Sequence, residues 1–167
     1  MVLLVVVAVG GYVGWRWTQE QYYVGADGGK VVIFRGLNQR IAWWNLSKPD
    51  KQTGIQLTQV PSKDMPTVQS AYASGSLDQV QRTVSTIRAD VTWCQDQYAA
   101  LRDWVPRENA YRAYQAAVML ARQHKKSPPA VVVLNPGSQP PSPAAVCPAS
   151  AAFGIPASAL PAATGSS

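Results

Sequence analysis

The sequence predicts an α+β chain: an N-terminal membrane helix, a small antiparallel sheet built on a β-hairpin, a long amphipathic helix and a second helix packed on that sheet, and a disordered C-terminal tail. Three observations carry this. A charge-free apolar run opens the chain from Met1 to Trp15 and is closed by Arg16 and Trp17. Two runs rich in β-branched and aromatic residues flank a Gly-rich turn between Tyr22 and Leu37. From Leu77 onward, apolar residues recur in alternating steps of three and four, the period of one helix face.

At about 1.5 Å per residue the apolar run covers roughly 22 Å of a hydrocarbon core about 30 Å thick, so it reads as the end of a membrane helix truncated at its N-terminus, residues 1–17. A secretory signal peptide would match its length but starts with Lys or Arg, which Met1-Val2-Leu3 does not offer. A buried strand starting at Val5-Val6-Val7 is disfavoured by Gly10, Gly11 and Gly14, residues that weaken strands and are common in membrane helices. Trp15, Arg16, Trp17, Tyr22 and Tyr23 then form the candidate membrane interface, aromatic and basic residues at the headgroup level.

Residues 18–126 are expected to form an extracytoplasmic α+β domain. They hold all nine carboxylates and fourteen of the fifteen Lys and Arg residues. The cations are scattered (Lys30, Arg35, Arg40, Lys48, Lys51, Arg82, Arg88), where a nucleic-acid binder would concentrate them on one strip, so nucleic acid is not expected as a partner. A mildly basic domain beside a bilayer is instead attracted to anionic lipid headgroups or wall polymers.

Within this domain, Gln21–Val24 and Lys30–Leu37 pair as a hairpin through Gly25-Ala26-Asp27-Gly28-Gly29. Ile41–Leu46 and Ile55–Val60 are expected as two more strands, divided by a turn at Ser47-Lys48-Pro49-Asp50. Ser76 with Gln79 three residues on marks a helix start, followed by the stripe Leu77, Val80, Val84, Ile87, Val91, Cys94, Tyr98 and Leu101. Packing on the sheet is preferred to a coiled-coil seam, because Cys94 and Tyr98 suit a seam poorly. Pro106 should end this helix, and Glu108–His124 should fold back as a second, with Tyr111, Tyr114, Val118 and Ala121 on one side. From Ser127 to Ser167 nine of the thirteen prolines occur without one charged residue, a composition that reads as disordered.

No residue pattern builds an active site. Asp27-Gly28-Gly29 is a turn, Asp90, Asp96 and Asp103 read as solvated helix charge, and His124 suits a helix C-terminus. Cys94 and Cys147 offer no zinc spacing with a single histidine, but in an oxidising compartment they are a candidate disulfide; the alternative is an apolar helix residue and a free thiol in a flexible tail. Trp43-Trp44 is a candidate partner surface: on a strand, neighbouring side chains face opposite ways, so one indole would be core and the other free for membrane or partner, unless the long helix covers both.

The order of apolar run, Gly14-Trp15-Arg16-Trp17-Thr18-Gln19, Gln21-Tyr22-Tyr23-Val24-Gly25 and Val31-Val32-Ile33-Phe34-Arg35-Gly36-Leu37 resembles the C-terminal part of actinobacterial membrane-anchored protein serine/threonine phosphatases of the metal-dependent PPM/2C class. The likeness is closest over Gly11 to Asn38, with a looser one through Thr53 to Pro66 and Leu77 to Ala89. The Ile41–Lys51 insert and the sequence beyond Trp93 depart from the family pattern.

The resemblance implies a single-pass cell-membrane protein whose residues after about 18 are extracytoplasmic. The parent's cytoplasmic catalytic domain uses Mn or Mg and acts on Ser/Thr protein kinases and their substrates in signalling and cell-envelope control. The family's catalytic aspartate motifs match no position here, so this chain is expected to hold no cofactor and to anchor, localise or sense. Two alternatives stand beside it: an independent cell-envelope binding protein without catalytic activity, and an enzyme in its own right with metal- or thiol-dependent turnover.

Overall fold

The computed structural model describes residues 2–18, 20–41, 44–71 and 74–161. Its elements in chain order are α1 (Val2–Thr18), β1 (Tyr22–Asp27), β2 (Lys30–Ile41), β3 (Trp44–Gln56), a 3-10 turn at Leu57–Gln59, α2 (Met65–Gln69), β4 (Ser74–Gly75), α3 (Leu77–Gln123) and three short 3-10 turns between Pro143 and Ala159. The class is therefore α+β. Two compact units divide the chain: residues 1–92 with Val146–Pro148, and residues 93–145 with 149–167.

The apolar run is helical, but α1 has 17 residues and so covers about 25 Å. Among the described residues no helix is long and apolar enough to cross a membrane. Val5, Val6, Val7, Val9, Tyr12 and Val13 on α1 are all exposed.

The sheet has strand order β3-β2-β1-β4, all neighbours antiparallel. The β1–β2 hairpin closes on Gly28 and Gly29 alone, with φ of 54° and 74°, the two positive angles of a tight turn that matches strand twist. The expected five-residue turn is thus shorter, and Gly25 lies inside β1 opposite Val32. A Cβ there would meet the Phe34 ring at 3.0 Å, which is why that position stays bare.

The expected turn at Ser47–Asp50 is strand: β3 runs through it, pairing Ser47 with Gly36, Lys48 with Arg35 and Pro49 with Phe34. Pro49 is tolerated because β3 is an edge strand and needs no donor on its outer side. Ile41 pairs with Trp44, and the residues between them lie outside the described set. The expected strand Ile55–Val60 holds only to Gln56, after which Leu57–Gln59 turns as 3-10.

Near its end β3 bulges. Lys30 pairs with Gln56 and Val32 with Gln52, leaving extra residues on β3. Gly54 takes φ 79° there, while the Thr53 hydroxyl donates to Val31 O at 2.7 Å and accepts from Ile55 N at 3.3 Å. The bulge buries Ile55.

One core sits in the first unit. Val24, Val31, Ile33 and Ile55 of the sheet, Val60 and Val68, and Val80, Val84 and Ile87 of α3 form it, with Val91 at its margin. Half of the predicted apolar stripe of α3 therefore covers the sheet. Ser76 caps the helix, its Oγ accepting from Gln79 N at 3.3 Å and its carbonyl from Val80 N at 3.1 Å.

In the second unit the structure corrects two expectations. Pro106 lies inside α3, which continues for 47 residues, so there is no second helix and no helical hairpin. Pro106 removes a single donor, the one that would pair with Arg102 O, and beside it Arg107 Nε donates to Asp103 O at 3.0 Å. The helix ends in a Schellman closure, with Lys125 at φ 52° and Lys126 N donating to Ala121 O at 2.9 Å.

Nor is the tail through residue 161 devoid of structure. Pro143, Ser150 and Ile155 are buried, Phe153 meets the Tyr98 ring at 5.9 Å, and the Trp104 indole N–H donates to Gly137 O at 3.3 Å. The buried face of α3 at Tyr98, Leu101 and Trp104 offers the apolar partner that the tail's own composition lacks. Ala130–Leu134 joins no sheet edge.

Candidate functional site

The residues expected at a membrane interface fall on two elements, α1 and β1. Arg16 is exposed on α1, 3.9 Å from Glu20 one helical turn on. Trp15 and Trp17 lie on the same helix, and their side chains are outside the described set. Tyr22 is half-buried, with the Arg35 guanidinium 5.9 Å from its ring centroid.

Tyr23 is 5% exposed and stacks on Phe34, ring centroids 5.0 Å apart and planes 8° apart. Its hydroxyl donates to Ser47 Oγ at 2.9 Å. It ties β1 to β2 and β3, while Tyr22, its neighbour on the strand, points to the opposite face.

Trp43 lies outside the described residues, and Trp44 begins β3 with its side chain outside them. Cys94 and Cys147 are both buried and both disulfide-bonded.

Two constellations that the sequence did not suggest come together in the first unit. In one, Lys63 Nζ stands 2.8 Å from Asp90 Oδ2, and Asp64 lies beside them as the residue before α2. Burial first, then the charge of Asp90, pushes the Asp64 carboxyl above its ordinary 3.8, against a smaller pull from Lys63. Its Oδ2 is buried without a hydrogen-bond partner. The bond to Asp90 holds the Lys63 ammonium above its ordinary value. With an ammonium as the third member, this group is a poor cation site, and among the described residues no set of three or more His, Cys, Asp or Glu is placed to hold a metal.

A carboxyl whose folded pKa is raised binds its proton more tightly in the folded chain. Its protonation therefore stabilises fully below 3.8 and the benefit is lost as pH rises through the raised value. Asp64→Asn is expected to raise the melting temperature at pH 7 by about 1–3 °C and to flatten the fall in stability just above pH 3.8, measured by thermal circular dichroism across pH 3 to 7.

The second constellation is a groove of about 250 Å³ along the edge of the sheet. One wall is a single stripe of α3, Gln81, Val84, Ser85 and Arg88, spaced at three, four and seven residues so that all share one face. The other is Lys51, Gln52 and Thr53 of β3, with Ile33 below. Lys51 pairs directly with Ile33 and so lies on the same sheet face, the one that carries the core. Arg88 Nη2 donates to the Thr53 carbonyl at 2.7 Å, a carbonyl freed from the ladder by the bulge. Among the described residues no carboxylate lines the groove, and neither Lys51 nor Arg88 is in an ion pair.

Neither constellation was readable beforehand. Thr53 and Arg88 are 35 positions apart, and Asp90 was assigned to the solvated side of its helix. The available signal was Gly54 beside a Thr in a strand, which marks a bulge and hence a displaced carbonyl. No family model, curated protein or solved structure matches this chain.

Proposed function

We propose that this chain is the membrane anchor and extracytoplasmic region of a longer metal-dependent protein serine/threonine phosphatase of the PPM/2C class, with an anchoring, localising or sensing role. The observation that carries the membrane part is α1: an apolar helix on which Val5, Val6, Val7, Val9 and Val13 are 56% to 66% exposed and stand outside the core cluster. Such a surface is costly in water and neutral in hydrocarbon, at about 25 cal/mol per Å² of apolar area. The cell membrane is then the first partner, with Arg16 at its edge and anionic lipid or wall polymer within reach of the basic sheet.

The disulfide-bonded cysteines support the side assigned to the rest of the chain, since such bonds persist outside the cytoplasm. The phosphatase assignment rests on the resemblance over Gly11 to Asn38, and the parent's Mn or Mg and its kinase substrates follow from that alone. The hairpin that closes on Gly28 and Gly29 and the strand Val31–Gly36 form the scaffold on which the matching residues sit.

The test has two parts. Membrane fractions of cells expressing the gene are extracted with alkaline carbonate, and a membrane-impermeant thiol reagent is applied to intact cells before and after reduction. The chain should stay with the membrane and label only after reduction. Release into the soluble fraction, or labelling that requires cell lysis, would overturn the anchor reading. An open frame with the aspartate motifs of a phosphatase just upstream supports the parent assignment; its absence leaves the independent envelope-binding protein.

A further inference from the structure

The groove between β3 and α3 has the makings of a ligand site wherever the chain resides. Its two cations, Lys51 and Arg88, line one small concavity without a carboxylate among the described residues, so their positive charge there is left for an anion to neutralise. Arg88 is tethered by one N–H to Thr53 O, which orients the guanidinium while leaving its remaining donors for a planar, two-oxygen acceptor. Beside the cations stands the side-chain amide of Gln81, able both to donate and to accept, over the apolar floor of Ile33 and Val84.

A side-chain amide over an apolar floor suits a peptide backbone with small side chains better than a bare inorganic ion. At about 250 Å³ the groove is smaller than a drug-sized pocket and takes a fragment of two or three residues. We infer that it binds the carboxylate-bearing end of a short peptide, with Lys51 and Arg88 holding the carboxylate and Gln81 the adjoining peptide group.

The experiment uses the full chain, labelled with nitrogen-15, in non-ionic detergent micelles. It is titrated with N-acetyl-trialanine bearing a free C-terminal carboxylate, with the C-terminal amide of the same peptide, and with inorganic phosphate. The free carboxylate should move the amide resonances of Gln52, Gln81 and Ser85 with a Kd of about 0.1–1 mM, weakening as salt is added. The amide should bind at least about tenfold more weakly, and phosphate no better than the amide.

Lys51→Gln removes one charge without touching the Arg88 tether and should weaken binding about tenfold while the spectrum stays that of a folded chain. Arg88→Lys keeps the charge but loses the planar fork, and should weaken it as well. Equal binding of acid and amide, phosphate binding as tight as the peptide acid, unchanged affinity in Lys51→Gln, or no shift at these three amides would each overturn the inference. None of these outcomes bears on whether α1 sits in a bilayer.

Discussion

Replacing Ile87 by Ala should cost about 3 kcal/mol of stability in the first unit. Ile87 is 2% exposed, the largest of the fully enclosed core side chains, and shares its cluster with Val24, Val31, Ile33, Ile55, Val60, Val68, Val80 and Val84. Truncation removes three carbons' worth of apolar contact and leaves a cavity between a helix and a sheet, two surfaces that cannot close the gap by a side-chain shift alone. Against a total stability of about 5–15 kcal/mol, that loss is large enough to read directly from a urea midpoint.

Ile87→Val should cost about 1 kcal/mol, and the exposed Arg82→Ala, one turn and a half earlier on the other side of the helix, less than about 0.5 kcal/mol. The measurement is urea unfolding followed by far-ultraviolet circular dichroism on the chain in non-ionic detergent, with the slope unchanged across the three variants. A cost for Ile87→Ala no greater than that of Arg82→Ala would mean that this face of α3 does not cover the sheet.

The elements legible in the sequence were those specified by neighbours along the chain. The hairpin and the helix stripe follow from local period and backbone freedom: the turn closes on the last two of its five expected residues, and of the stripe Val80, Val84, Ile87, Cys94, Tyr98 and Leu101 are buried while Leu77 and Val91 are half-buried. The errors arose where a weak local preference met a stronger tertiary one. Ser47-Lys48-Pro49-Asp50 has the composition of a turn, yet on the sheet edge its inward carbonyls and amides find β2, and the outward side tolerates Pro49.

Pro106 has the power to end a free helix, at about 3 kcal/mol, but here Leu101 and Trp104 are buried just before it and Arg107 offers a side-chain donor just after. The tail's own composition contains too little apolar surface to fold alone. Its partners were Tyr98 and Trp104, more than thirty residues away along the chain. The groove and the Asp64–Asp90 pair were unreadable for the same reason, since each joins the loop or strand region to α3 across 26 to 35 positions.

That dependence of the tail on α3 sets the second large effect. Trp104 is 8% exposed, and its indole N–H is the link to Gly137, whose own N–H is held by Asn135 Oδ1 at 2.9 Å. Trp104→Ala should therefore cost about 3–4 kcal/mol in the second unit, from lost burial and the void left behind. Trp104→Phe keeps most of the buried area and removes the donor, leaving Gly137 O without its partner, for about 1–2 kcal/mol.

The readout that separates an ordered tail from a free one is amide hydrogen exchange. Ala152 N donates to Ala149 O at 2.9 Å, Gly154 N to Ala151 O at 3.0 Å and Ile155 N to Ser150 O at 3.1 Å. In the unaltered chain these three amides should exchange slowly, because the turn that holds them is closed over buried Ser150 and Ile155. In Trp104→Ala they should approach the rate of an unstructured peptide, while Val24 and Ile33 in the first unit keep their protection. Free exchange at Ala152, Gly154 and Ile155 before any substitution would return the tail to the disordered state its composition suggests, and with it the small cost expected for losing the Trp104 donor.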